Sequence, residues 1–346
     1  MRFLVTGGAG YIGSHATLRL LDAGHEVTVV DNLYRGHRGA IEALARVGGP
    51  RLRFVEADIL DTAAVARALR DGGVETVLHF AALTYVGESM ERPDDYHRTN
   101  TTGGESLLAA MRACGVHRLV FSSTAATYGV PDAGAMPITE DTPQRPINPY
   151  GASKLAFEQV LRAQTAWLSS VALRYFNVAG ADPAGRLGED HRPETHLIPI
   201  CLEVALGRRP QLTVFGDDFP TPDGTCVRDY VHVEDLVDAH VAALAALENG
   251  TVDGTVDRQT PHRFLRWNIG IGRGYSVREV LESCRRVTGH AIPAAIGPRR
   301  EGDPPSLYAD PAAITRDLGW RARWTDLDAI VRTAWDWMRA HPAGYR

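Results

Sequence analysis

Cysteine is scarce and dispersed: the 346 residues contain four, Cys114, Cys201, Cys226 and Cys284, and none sits in a C-x-x-C pair. Such spacing implies neither a zinc site nor a disulfide framework, so no metal is expected and the thiols read as buried groups in a reducing compartment. Basic residues are not in excess either. Lysine and arginine total 37 against 42 acidic residues, a formal charge of −5. A chain so balanced lacks the positive face that tracks a phosphate backbone, which argues against nucleic acid as a partner. No uninterrupted apolar stretch approaches the roughly 20 residues that a membrane span requires, and there is no internal repeat or low-complexity tract. A secretory leader needs a long apolar run before the mature fold, yet a glycine-rich loop begins at Gly7, a strand's length from Met1. A cytoplasmic protein without a membrane partner is expected.

Hydrophobic residues make up 44% of the chain, enough for a large core, and the length exceeds what one core usually reaches before splitting into lobes. The first half alternates short β-branched runs (Arg2–Val5, Glu26–Val30, Leu52–Val55, Thr76–His79, Arg118–Phe121) with amphipathic stretches (Ile12–Ala23, Ala63–Arg70, Gly104–Cys114). Another helix starts near Pro149 and leads to a strand at Val171–Arg174. Strand, helix, strand in repetition predicts an α/β fold with a parallel sheet covered on both faces. Beyond Asn177 the regularity falls. Ala181–Glu194, rich in glycine, proline and charge, predicts an exposed loop where a second lobe begins. Helices follow at Leu197–Leu206 and Val233–Leu247, with a loop around Phe219–Asp223. The apolar run Trp267–Ile271 predicts a late strand returning to the first sheet, so the lobes are interleaved: residues 1–177 with return segments near 230–275, and a smaller α/β lobe over 178–346. Thr251–Arg263 reads as a solvated loop.

Gly7, Gly10 and Gly13 lie directly after a strand and open a helix, where small residues let the backbone approach a pyrophosphate seated on helix N-terminal N–H groups. Asp31 follows 18 residues later, at the end of the next strand, suited to a ribose; its charge would meet a 2′-phosphate unfavourably, which favours NAD over NADP. Asp58, after the third strand, suits an adenine edge. Taken singly, both aspartates also fit helix caps or turns. Together with the glycines they predict a Rossmann-like dinucleotide site.

Tyr150 and Lys154 stand four apart near a helix start, hence on one face. Such a pair alone is more often a surface feature than a site. Its context is Ser122-Ser123-Thr124, whose hydroxyls emerge at the same sheet edge as the glycine loop. A tyrosine with an ordinary pKa of about 10 becomes a base near neutrality when an ammonium and an oxidised nicotinamide stabilise phenolate. That chemistry removes a proton from an alcohol while hydride leaves its carbon, with Thr124 aligning the same oxygen.

The glycine loop, Asp31, Asp58, Phe80-Ala81-Ala82, Asn100, Ser122-Ser123-Thr124, Tyr150, Lys154 and Arg174-Tyr175-Phe176-Asn177 resemble the extended short-chain dehydrogenase/reductases. Val86-Gly87-Glu88-Ser89, Thr225–His232 and Arg299-Arg300-Glu301-Gly302-Asp303 narrow the likeness to the UDP-glucose 4-epimerases, nearly end to end. That resemblance implies interconversion of UDP-glucose and UDP-galactose through a 4-keto sugar. Thr124, Tyr150 and Lys154 would be catalytic. NAD would be held by Gly7, Gly10, Tyr11, Ile12, Gly13, Asp31, Asn32, Asp58, Ile59, Phe80, Ala81, Ala82, Thr84, Asn100, Ser122, Tyr150, Lys154 and Phe176. The UDP-sugar would meet Thr124, Tyr150, Asn177, His196, Leu197, Phe215, Arg228, Arg300, Asp303 and Leu307, with both arginines on the diphosphate. A homodimer is also implied. Four positions depart from the usual pattern: Thr84 where many relatives carry lysine, Thr124 where many carry serine, His196 where many carry asparagine, and Leu307 where others carry tyrosine or cysteine. A sugar-nucleotide dehydratase is the nearest rival, but Thr124 is followed by Ala125-Ala126 and not by an acidic pair. A non-catalytic NAD sensor would have no need of Tyr150 and Lys154 in register with Thr124.

Overall fold

The computed structural model describes residues 1–132, 134–249, 251–252, 255–256, 262–300 and 303–345. Its first half runs β1 (Arg2–Thr6), α1 (Tyr11–Asp22), β2 (Glu26–Asp31), α2 (Arg38–Gly48), β3 (Leu52–Glu56), α3 (Thr62–Asp71) and β4 (Thr76–His79). Two short helices, α4 (Val86–Glu91) and α5 (Pro93–Tyr96), precede α6 (Gly103–Ala113), β5 (Arg118–Thr124), α7 (Pro149–Ala163) and β6 (Ser169–Tyr175). Apart from its first residue β2 is buried along its length, as are all of β4 and all but the first residue of β5. Strands covered on both faces read as continuous apolar runs, which is why these segments were legible as a parallel sheet.

After β6 come β7 (Asn177–Ala179), α8 (Leu197–Ala205), β8 (Leu212–Phe215), β9 (Val227–His232) and α9 (Val233–Asn249). Then follow β10 (Thr251–Val252), β11 (Thr255–Val256), β12 (Phe264–Ile269), β13 (Gly274–Ser276), α10 (Val277–Thr288), β14 (Ala294–Gly297), β15 (Ser306–Leu307), α11 (Ala312–Leu318) and α12 (Leu327–Ala340). The main sheet is parallel with order β12-β6-β5-β4-β1-β2-β3. The strand order reverses between β1 and β4, so the crevice beyond the carboxyl ends of those strands is where a ligand of a doubly wound sheet binds.

The late strand expected at Trp267–Ile271 is β12, beginning at Phe264 and ending at Ile269, paired in parallel with β6. It stops there because Asp229 on β9 accepts the N–H groups of Ile271 (2.9 Å) and Gly272 (3.3 Å), drawing the chain out of the sheet. The expectation for Ala181–Glu194 needs correction. It is a loop, but Ala181, Asp182, Leu187, Glu189 and Glu194 are buried. The loop lies against α1, where the Tyr11 hydroxyl donates to Gly180 O (2.6 Å) and Asp182 N donates to His15 Nε2 (3.2 Å); the carboxylates of Asp182, Glu189 and Glu194 are buried while Arg192 stays exposed. Within Thr251–Arg263, β10 and β11 form a two-residue antiparallel ladder, while 253–254 and 257–261 lie outside the described residues.

The second lobe combines β9 with β7, β13 and β15, a β8–β14 pair, and a core in which Ile198 and Leu202 of α8 meet Val280 and Cys284 of α10 and Ile330 and Trp335 of α12. Helix α10 starts on a reciprocal cap: Ser276 accepts from Glu279 N while the Glu279 carboxylate accepts from Ser276 N. No helix among the described residues is long and apolar enough to cross a membrane.

Candidate active site at the sheet's carboxyl edge

The glycine loop is a cradle folded so tightly that side chains at two of its glycines would collide with backbone. Gly7 has φ +72°, and a Cβ there would lie 2.5 Å from Ala81 N; a Cβ on Gly13 would lie 2.2 Å from Gly7 O. Gly10 caps α1 without any side-chain hydrogen bond, leaving the first-turn N–H groups facing the crevice as an anion site requires. Asp31, at the end of β2, accepts from Ala9 N (3.0 Å) and Leu33 N (2.8 Å). Burial raises its pKa while those two N–H groups pull it down. The two bonds tie the loop to β2, and a carboxylate with about four acceptor positions still has capacity for ribose hydroxyls. Asn32 donates to Asp58 (2.8 Å), so those two expected residues sit together beyond β2 and β3, with Ile59 buried beside them.

Phe80, Ala81, Ala82 and Thr84 follow β4, and their loop is anchored by Asn100. That amide accepts from Leu83 N (2.8 Å) and donates to Leu83 O (2.9 Å) and Ser153 Oγ (3.0 Å). Its hydrogen-bonding capacity is turned into the protein, so it positions the loop. Ser122 is similar: its hydroxyl meets His240 Nε2 (2.8 Å), and its carbonyl accepts from Lys154 Nζ (2.9 Å). His240, which also packs on Phe80 with centroids 4.8 Å apart, was not singled out from the sequence, because a lone histidine in a helix carries no signal.

Asn148 starts α7 by accepting from Gly151 N (2.8 Å), with Pro149 in the first turn. This fixes Tyr150 and Lys154 on the buried face. Burial raises the Tyr150 pKa, and the neighbouring Thr124 side chain opposes it; the structure thus brings Thr124 and Tyr150 together. Lys154, the chain's only lysine, is held down to about 7 by burial, against the upward pull of Glu158. Its ammonium lies 4.7 Å from the centre of the Phe121 ring. Phe176 is buried, whereas Asn177 is exposed.

A second group forms in the smaller lobe. Arg228 on β9 donates to Pro304 O (2.8 Å) and lies 3.6 Å from Asp303, which also pairs with Arg300 (2.9 Å). The Arg300 guanidinium lies 5.1 Å over Phe215. Leu307 pairs with Arg228 across β15 and β9 and packs against the cluster of Ala125, Tyr128 and Phe176. Glu301 and Gly302 of that motif lie outside the described residues. Leu197 opens α8, and His196 before it bonds Glu189 through Nδ1, an acidic partner that spacing alone did not reveal.

The sequence pattern of the NAD dependent epimerase/dehydratase family matches residues 3–257. The chain belongs to that family. Among its epimerase/dehydratase relatives, the UDP-glucose 4-epimerase of Halalkalibacterium halodurans is 48% identical over 347 residues, covering 100% of this chain and 98% of that protein. A probable UDP-arabinose 4-epimerase of Oryza sativa is 47% identical over 352 residues, covering 99% of this chain and 80% of that one. The crystal structure of the Stenotrophomonas maltophila UDP-glucose 4-epimerase, with bound NAD and formylated UDP-arabinopyranose, superposes with a TM-score of 0.91 at 42% identity over 99% of both chains.

Proposed function

We propose that this chain is an NAD-dependent 4-epimerase that interconverts UDP-glucose and UDP-galactose. The observation that carries the reading is the meeting of Tyr150 with Thr124 at the end of β5, beside the glycine cradle, in a chain that matches UDP-glucose 4-epimerases along its whole length. The loop suits NAD because Gly7 and Gly13 let it fold tightly against Ala81 and the start of α1, where any Cβ would collide with backbone, and it opens a helix whose first-turn N–H groups attract a pyrophosphate. Bound there, NAD would supply the hydride acceptor for C4 of the sugar and the donor for hydride return to its other face. Everything else falls to the protein. Tyr150 takes the O4 proton and Thr124 aligns that oxygen. Among the described residues only Thr124 opposes burial at Tyr150, so the further pull toward phenolate would come with the positive charge of the oxidised cofactor. Arg228 and Arg300, whose planar forks match phosphate oxygens, hold the diphosphate while the oxidised sugar turns. Asn177, Leu197, Phe215, Asp303 and Leu307 line the same nucleotide-sugar pocket. We assign NAD to residues 1–177 with the return strand, and the UDP-sugar to the lobe over 178–346. The same reading makes the protein a cytoplasmic homodimer, which sedimentation equilibrium tests.

A UDP-pentose is the second substrate reading, favoured by the near-equal identity to the rice UDP-arabinose relative. Incubation with a panel of UDP-sugars, each product resolved chromatographically, separates them: the fastest C4 epimerisation is expected with UDP-glucose and UDP-galactose. Tyr150→Phe should lower that rate by at least about 10²–10⁴, the usual worth of a general base. Near-normal turnover in this variant would remove Tyr150 from the role.

A further inference from the structure

Two imidazoles and two carboxylates converge in the loop after β7, in the pattern Glu189-x-His191-x-x-Glu194-x-His196. One donor atom from each lies within 4.8 Å of all the others. His191 Nδ1 is 3.1 Å from Glu189 Oε1 and 3.8 Å from Glu194 Oε1, and His196 Nδ1 bonds the same Glu189 oxygen. A four-coordinate ion with bonds of about 2.0–2.2 Å needs donors roughly 3.3–3.6 Å apart, so the present spacings bracket that requirement. Two further atoms point to something unfilled. His191 Nδ1 is buried and, despite its nearness to Glu189, is not aligned for a hydrogen bond with any group among the described residues; the buried Tyr85 hydroxyl likewise has no partner among them, and the Tyr85 ring meets the His191 ring edge-on at 6.0 Å.

The surroundings hold the donors as outer partners of a metal site do. Glu194 is fixed by the N–H groups of Thr195 (2.7 Å) and His196 (2.8 Å). Between the donors, Asp190 O meets His37 Nε2 (2.7 Å) and Arg192 O accepts from Arg35 (3.1 Å). An open cavity of about 230 Å³, lined by Glu189, His191, Glu194, Arg208 and His341 among others, gives a route in from solvent.

We propose that Glu189, His191, Glu194 and His196 bind one divalent transition-metal ion of the zinc class, which fixes the conformation of this loop where His191 packs against Tyr11 and Tyr85. Two carboxylates supply two negative charges, which one divalent ion balances with both rings neutral. The mixed nitrogen and oxygen donors suit zinc and its neighbours better than calcium or magnesium, which prefer oxygen alone. Four protein donors leave no open position, so the ion is structural. This inference rests on the loop alone and does not depend on which sugar the enzyme uses. Two protonated imidazoles would balance the same charge without a metal, and the experiment separates the two arrangements.

The full-length protein with its NAD is stripped with a chelator, dialysed, and titrated with Zn²⁺ against a chromophoric competitor and with Co²⁺ by visible absorption. One equivalent is expected to bind, with the intense bands of four-coordinate cobalt, and to raise the melting temperature. His191→Ala and Glu189→Gln should each weaken binding by more than the roughly 10–100-fold typical of losing an outer partner, while the exposed His290→Ala leaves it unchanged. Circular dichroism and NAD content establish that the variants are folded. A parent protein that binds no equivalent of either ion overturns the proposal, whatever the variants do. So does binding that survives both substitutions.

Discussion

Lys154 has a side chain buried against Phe121, and its ammonium has been taken out of water, which holds its pKa at about 7. Between about pH 7 and the ordinary lysine value near 10.4 the folded chain therefore binds fewer protons than the unfolded one. The cost of burying the ammonium is complete below about pH 7 and is relieved as pH rises, on the order of 1.4 kcal/mol for each unit. Lys154→Met, similar in shape and uncharged, should raise the melting temperature of the cofactor-free protein most at about pH 6 and least near pH 10, while epimerisation is lost. A difference that does not vary with pH would contradict the assignment. At Leu307 the question is selectivity. The side chain is half-buried, opposite Arg228 and against Ala125 and Phe176, and a branched chain packed this way yields little. An N-acetyl group in its place would overpack by roughly 1–3 kcal/mol, a bias of about ten- to two-hundred-fold in kcat/KM. Leu307→Ala is predicted to raise the rate with UDP-N-acetylglucosamine relative to UDP-glucose; an unchanged ratio in a folded variant means that Leu307 faces away from the sugar.

Helix α7 carries the chemistry because it is bolted to two strands and tied through Arg174 and Tyr128 to a third. Two turns beyond Tyr150, Glu158 accepts from Ser123 on β5 and from Arg174 on β6 (2.6 Å), with both charged side chains almost wholly buried. Arg174 also donates to Tyr128 (2.9 Å), whose hydroxyl donates to Asn268 on β12 (2.6 Å). Removing one member leaves a buried charge unpaired, at about 3–5 kcal/mol, whereas removing both can be nearly neutral. Arg174→Met should therefore lower the urea midpoint strongly, and Arg174→Met with Glu158→Gln should recover much of the loss. If the double variant is as unstable as the sum of the singles, the pair is not coupled. The four-residue spacing of Tyr150 and Lys154 was legible because helix period depends on sequence alone. The Glu158–Arg174 pair was not, since its members are brought together by strand order.

At the scale of the molecule, the cradle after β1, Asp31 beyond β2 and the Asn100-anchored loop beyond β4 enclose one crevice at the reversal of strand order. A cofactor regenerated in every turnover has no need to leave it. Protein purified without added nucleotide is predicted to carry NAD or NADH, measured by acid release and enzymatic assay; NADP, or an apoprotein that needs free NAD for each turnover, would contradict the reading.

The sequence by itself determined the alternation of strands and helices, the glycine loop, the aspartates at strand ends and the Tyr150–Lys154 register, because each depends on local period or on a backbone that admits no side chain. Tertiary structure decided which distant groups meet. It set Thr124 against Tyr150, His240 beneath Ser122, and Arg228 opposite Leu307. It also turned carboxylates of the loop after β7 inward: a run dense in glycine, proline and charge reads as solvated, and only the packing of Tyr11, Arg35, His37 and Tyr85 around it brought Glu189, His191, Glu194 and His196 together. Burial of polar groups is favourable only where partners converge, and that convergence is a property of the fold.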